Sequence, residues 1–409
     1  MAKRNKWIYT TKTHLTMYAL LLIFTPFLML RNYLQSAIGK LSRLSYFILD
    51  IEIPYILTIF VIALVIIIIK NFRKIRRHHI LGGLAAVLLI YLAQLFADYY
   101  FDHRFYDLQH NWHYFAYGIY SFIAYRFFKS QDKPIARIIL FIFISAWALS
   151  TFDEGIQVFI SGRIFDISDI AKDAWGSIIG MIFLFVGIFP QELKQFKFRL
   201  THHRIKDYLH NPKTLLFWEL IFTFILILVS SVLADMSYWY YVVTITFMSF
   251  LLIFLLFHFS RNRYFRFALL LLIGIILILH SINFLKNRND YIVGNKYGLV
   301  VYKGIPIPFF DVMIFPDNTF RLVDKKHSFN ARDLATIYNK VDDILLIGSG
   351  HEGLGGKGFP EDFPVQFVFN HIKNKALQII ILPTPEACRE FNRLKEEGKN
   401  VLFIIHNTC

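Results

Sequence analysis

The sequence predicts a polytopic α-helical membrane protein, with about nine transmembrane helices, that ends in a small α/β domain. Three observations carry that prediction. Of the 409 residues, 56% are hydrophobic and only 18% are charged, where a soluble domain carries about 25% charge. Nine apolar segments have or approach the roughly 17–25 residues that a helix needs to cross a hydrocarbon core. Near Lys286 the composition changes abruptly, and residues 290–409 hold 14 of the 29 acids. This argues against an ordinary soluble enzyme, a disordered chain and a disulfide scaffold, and two cysteines exclude a cysteine-rich metal cluster.

The nine segments are 15–30, 54–69, 80–96, 112–128, 135–152, 174–189, 214–233, 238–257 and 267–284. The first has Pro26 inside it and Lys3, Arg4 and Lys6 ahead of it, and it reads as a retained helix. The loops between segments alternate in charge. Residues 1–14 carry +4, 70–79 +5, 125–138 +3, 191–213 +4 and 260–266 +3. The intervening loops 31–53, 97–111, 153–173 and 234–239 carry +1, −2, −3 and −1. This is the positive-inside pattern, and it places the N-terminus on the cytoplasmic side of the cell (plasma) membrane. The basic loops together exceed the net charge of +15, so the basicity is topology and no nucleic-acid partner is expected. The partner it implies is the lipid bilayer.

Charges beside membrane helices cost energy and usually have a reason to be there. The densest set is Asp153, Glu154, Gln157, Arg163, Asp166, Asp169 and Asp173, followed by Gly176 and Gly180. By the orientation argument His113, Asp153, Glu154, Arg163 and Asp169 fall on the outer face. Asp169 and Asp173 are four apart, hence on one side of a helix, and the glycine pair lets that helix approach a neighbour. The stretch resembles the signature of VanZ-like membrane proteins, the teicoplanin-resistance type. Asp153-Glu154, Gln157, Gly162-Arg163, Asp169, Gly176 and Gly180 match it, and Asp173 stands where the family usually has Asn. His113-Tyr-Phe-Ala-Tyr117 resembles the family's H-F-x-A-Y helix start.

The resemblance covers roughly residues 15–190 and implies a VanZ-like transmembrane domain of residues 1–190, with 191–289 as additional transmembrane helices. It implies an outer polar pocket of His113, Asp153, Glu154, Gln157, Arg163, Asp169 and Asp173 that binds a lipid-linked or cell-wall component. The implied consequence is lowered glycopeptide (teicoplanin) susceptibility. No cofactor, metal or catalytic residue is expected. Three other readings stand beside it. One is a structural ion-pair network. Another is a membrane-embedded metal-dependent hydrolase or phosphatase that uses His113 and the carboxylates. The last is a scaffold that recruits a protein partner through its tail. Glu219, about one turn from the basic end of its helix, is expected to snorkel to the interface.

In the tail, strands are predicted at 297–302, 311–315, 344–347, 377–382 and 401–405, and helices at 331–341 and 385–397. Gly348-Ser-Gly350-His-Glu-Gly353 fits G-x-G-x-x-G formally, but no helix can start promptly after it and no acid follows at the dinucleotide-binding distance. Its glycines are therefore read as turn residues with positive φ. Cys388 lies just inside a helix start. It reads either as a small core residue or as a thiol activated by that position, and outside the cell it could pair with Cys409.

Residues 310–409 resemble the Mth-nine-three-eight domain. The matching pieces are Asp311 to Pro316, Ile347 through Gly353, Pro383 to Cys388, Phe391-Asn392 and the final His406-Asn-Thr408-Cys409. The resemblance implies a three-layer β/β/α fold for 290–409 with no agreed activity.

Overall fold

The computed structural model describes residues 10–28, 44–48, 51–97, 108–159, 165–233, 239–260, 263–287, 289–308, 310–323, 337, 341, 343–356, 365–370 and 375–407. They divide into two compact units, one of residues 1–231 and 240–259, the other of residues 232–239 and 260–409.

The first unit is helical. It runs α1 (Thr11–Leu28), a hairpin of β1 (Ser45–Ile48) and β2 (Ile51–Pro54), α2 (Tyr55–Asn71), α3 (Arg77–Ala97), α4 (Leu108–Lys129) and α5 (Ile135–Gln157). There follow α6 (Ile167–Ile182), short α7 (Pro190–Lys194) and α8 (Ile205–Tyr208), then α9 (Pro212–Leu233) and α10 (Trp239–Phe259). A π-helical turn, Phe183–Ile188, extends α6. The second unit begins with α11 (Arg263–Asn287).

Among the described residues, six helices are long and apolar enough to cross a membrane: α3, α5, α6 with its π turn, α9, α10 and α11. The chain is thus a multi-pass membrane protein by the length and apolarity of these helices. The other three expected spans also fold as helices but fall short of that measure. Helix α2 has 17 residues, α1 carries Lys12, His14 and Pro26, and α4 carries His113, Arg126 and Lys129.

Helix α6 is the centre of the first unit, with every residue from Ile170 to Met181 buried. Its neighbours reach it through polar clasps and small residues. Trp175 Nε1 donates to the Leu89 carbonyl on α3, and Ser121 Oγ on α4 donates to the Ser177 carbonyl. At the π turn, a Cβ on Gly82 would lie 2.4 Å from Gly187 Cα, so backbone meets backbone there. His78 Nδ1, 2.6 Å from the Gly187 carbonyl, partners an oxygen in that turn. Tyr18 Oη donates to the Ala116 carbonyl and ties α1 to α4. The apolar core joins Ile138, Ile139 and Ile142 of α5 with Ile178 and Met181.

Glu219 does not snorkel. It is 5% exposed in α9, and neither carboxyl oxygen has a hydrogen-bond partner among the described residues. The reason is packing. Trp218 and Phe222 beside it interlock with Phe250 and Phe254 of α10, closing off the route to the interface.

In the second unit, β3 (Ile292–Lys296), β4 (Leu299–Tyr302) and β5 (Ile305–Pro308) form an antiparallel sheet. A six-stranded sheet holds β6 (Asp311–Ile314), β7 (Phe320–Val323), β8 (Ile344–Gly348), β9 (Val365–Asn370), β10 (Lys375–Leu382) and β11 (Val401–Ile405). Its order is β7-β6-β11-β8-β10-β9, with β11, β8 and β10 parallel. One core gathers Val300 and Ile307 from the small sheet, Leu346 and Phe403 from the large one, and Phe391 and Leu394 from α12 (Thr384–Glu396). Strand β5, Ile-Pro-Ile-Pro, sits at a sheet edge, where its missing N–H donors are tolerated. The expected helix 331–341 lies largely outside the described residues.

The quoted tail motifs converge at the carboxyl ends of the parallel strands. His406 Nδ1 pairs with Asp311 Oδ2, both residues being buried, and Asn407 N donates to Asp311 Oδ1. Thr384 Oγ1 donates to the His406 carbonyl and accepts from Gly350 N. The glycine loop folds back, with Gly350 and Gly353 at φ 92° and 72° and Gly355 N bonded to the Ser349 carbonyl.

Two outcomes follow. Glu219→Leu should raise the thermal midpoint in detergent, since an unsatisfied buried polar group costs about 1–3 kcal/mol; a lowered midpoint would show that the carboxyl is paired. Cys388 is buried, and burial pushes its thiol up to about 12. Iodoacetamide at mildly alkaline pH should therefore spare Cys388 in the folded protein and label it only after denaturation. Cys409 lies outside the described residues.

Candidate polar site at three helix ends

Helix α6 starts on Asp166, whose carboxylate accepts from Ser168 N at 2.8 Å, and Asp169 follows in the first turn. Acids there are favoured, because they cap free N–H groups and face the positive end of the helix dipole. One turn on, the same face carries Asp173, and a turn further the glycines begin. A Cβ on Gly176 would lie 2.7 Å from the His113 carbonyl, and one on Gly180 would lie 2.6 Å from the Gly118 carbonyl. Helices α4 and α6 therefore cross in backbone contact. That crossing sets His113 against the acids of α6.

The result is an interhelical cluster. His113 Nδ1 lies 2.8 Å from Asp173 Oδ1, and its Nε2 lies 3.6 Å from Asp169 Oδ1. The second oxygen of Asp173 accepts from Ser150 Oγ at 2.7 Å, so a residue only 3% exposed pins α4, α5 and α6 together. Both ring nitrogens of His113 face carboxylates, and the imidazolium is the form that can donate to both.

Glu154 is buried beside this centre. One oxygen accepts from Gln157 Nε2 at 2.9 Å, and the other accepts from Asp166 N at 3.1 Å, which fastens the end of α5 to the start of α6. Asp153 differs. Its Oδ2 has a 3.4 Å contact from Gln157 Nε2, while its Oδ1 is buried with no partner among the described residues. It also lies within electrostatic range of His113, Asp169 and Asp173.

Six of the seven predicted site residues thus stand at adjoining ends of α4, α5 and α6. The seventh, Arg163, lies outside the described residues. Sequence reasoning missed two participants. Ser150 is a hydroxyl one turn before the acidic pair, and Ser145 and Thr151 in the same helix carry the same local signal. Lys172, buried with its Nζ 3.4 Å from Asp169 Oδ1, read as one more loop charge because its burial depends on the helix crossing. Among the described residues, no three His, Cys, Asp or Glu side chains are placed to hold a metal ion together.

The other face of α5 presents a shallow, open apolar recess that runs from Ile144 and Trp147 past Thr151 and Gly155 and on to Phe159 beyond the helix end.

The crossing makes a direct prediction. Gly176→Leu should destabilise the protein by about 1–3 kcal/mol or more, because its side chain meets α4 backbone. Gly155→Ala, with nothing within 4 Å of the new Cβ, should leave the thermal midpoint unchanged. Equal midpoints for the two variants would refute the close crossing.

No family model and no curated protein matches the chain. Among solved structures, one titled MT938 is similar at 24% identity, covering 29% of this chain and 97% of its own, with a TM-score of 0.22.

Proposed function

We propose that this protein is a multi-pass envelope protein of the cell membrane, N-terminus cytoplasmic, whose polar cluster binds a lipid-linked or cell-wall component. The observation that carries the reading is the buried Oδ1 of Asp153, which has no partner among the described residues although it stands beside the His113–Asp169–Asp173 cluster. Within the cluster the acids divide by task. Asp173 and Glu154 are committed to holding helices, whereas Asp153 keeps a buried carboxylate oxygen for a ligand. The described acids Asp153, Glu154, Asp166, Asp169 and Asp173 outnumber the bases His113 and Lys172. That balance favours the hydroxyl and ammonium groups of a saccharide or peptide head group, with Arg163 as the residue for its phosphate.

The resemblance of residues 153–180 to VanZ-like proteins supplies the cellular readout, lowered susceptibility to teicoplanin. Asp153→Asn and Arg163→Ala should each abolish that protection while membrane level and thermal midpoint stay at the wild-type value. Asp173→Ala should instead cost about 3–5 kcal/mol of stability, since it strips a partner from a buried charge. Full protection by Asp153→Asn and Arg163→Ala would overturn the binding reading and leave the cluster as a structural network.

A further inference from the structure

Helix α11 ends in the second unit at a defined contact. Asn283, in its last turns, donates from Nδ2 to the Gly304 carbonyl at 3.0 Å, and a Cβ on Gly304 would lie 2.9 Å from that same Nδ2. Gly304 and Lys303 are the two turn residues of the β4–β5 hairpin, with Tyr302 opposite Ile305. The apolar run of α11 stops at Phe284-Leu285, followed by Lys286, so this turn lies at the level where hydrocarbon gives way to head groups.

Lys303 has φ +48°, in the left-handed region that a hairpin of this type demands and that Asn or Gly adopts more readily. Its Nζ stands 5.3 Å from the centre of the Tyr291 ring and 5.8 Å from that of Tyr302. From α12, Lys395 places a second ammonium 5.5 Å from the same Tyr291 ring. Both lysines are half-buried. Burial holds both ammonium groups below the usual lysine range, and Lys303 further depresses Lys395. The frame around them is rigid: Lys303 N donates to the Tyr291 carbonyl, and Asn392 makes hydrogen bonds with both the N–H and the carbonyl of Ile292. Lys395 Nζ also donates to the Pro316 carbonyl, and Asp317 lies near it.

We propose that Lys303 and Lys395, facing Tyr291 at the end of α11, form a binding site for the phosphate of an anionic phospholipid in the adjoining leaflet. Two cations held against one ring repel each other and are partly desolvated. A phosphate monoanion between them relieves both costs, and the tyrosine belongs at the same depth in a bilayer.

The test uses the full chain reconstituted in vesicles of phosphatidylcholine and phosphatidylglycerol, extracted gently and examined by native mass spectrometry. The variant is Lys303→Asn with Lys395→Gln. Asn is at home in the left-handed turn, so the hairpin and the thermal midpoint should persist. The wild type should retain phosphatidylglycerol over phosphatidylcholine. The variant should lose that preference by roughly fivefold per lysine removed. Equal preference in the two proteins would overturn the proposal. So would displacement of the lipid by inorganic phosphate at constant ionic strength, which would mark a free-phosphate site instead.

Discussion

The backbone contact between α4 and α6 is the constraint on which the helical unit depends. Gly118, Gly176 and Gly180 remove the side chains that would hold the two helices apart. In a membrane, where apolar surface gains little from leaving lipid, close packing of small residues supplies attraction that the hydrophobic effect cannot. Once the helices touch there, His113 has one place to go, against Asp173 and Asp169. Ser121 finds the Ser177 carbonyl by the same approach.

Burial of charge then dictates the rest of the cluster. A carboxylate inside a bundle must be paired or hydrogen-bonded, and Asp173 meets that demand with His113 and Ser150. Glu154 meets it with Gln157 and a backbone N–H from the neighbouring helix. Each solution also ties helix to helix, so electrostatic satisfaction and architecture are one requirement. Among the described residues, Asp153 and Glu219 depart from it. They differ in setting, because Asp153 adjoins the cluster while Glu219 is enclosed by aromatic rings.

In the second unit, chain ends and turns are drawn together by buried polar clasps. The Asp311–His406 pair and the Thr384 hydroxyl join the ends of β6, β8 and β11 to the start of α12, a closure that apolar packing alone would leave undirected. At the other margin, Asn283 fixes the β4–β5 turn to α11. The sheet domain is thereby anchored to a helix long and apolar enough to span a bilayer.

Much of this architecture was legible because it rests on local properties. Run length and apolarity mark α3, α5, α6, α9, α10 and α11, and β-branched runs mark β8, β10 and β11, because the energy of such segments depends on their own residues. Strands β3, β5, β7 and β9 and the β1–β2 hairpin were not anticipated. All but β9 are short or carry glycine or proline, and only their partners make them strands. The acids 153–173 and His113 announced themselves as a group by density. Which acid holds a helix, and which keeps an oxygen unbonded among the described residues, is decided by the crossing of α4 over α6, as are the burial of Lys172 and the recruitment of Ser150. Glu219 is the same lesson in reverse: its spacing permits snorkelling, and the rings of α10 forbid it. By itself the sequence determined which segments leave water. The tertiary structure decided what each charge does, because the cost of a buried charge is set by the neighbours that helix packing brings to it and not by its place in the chain.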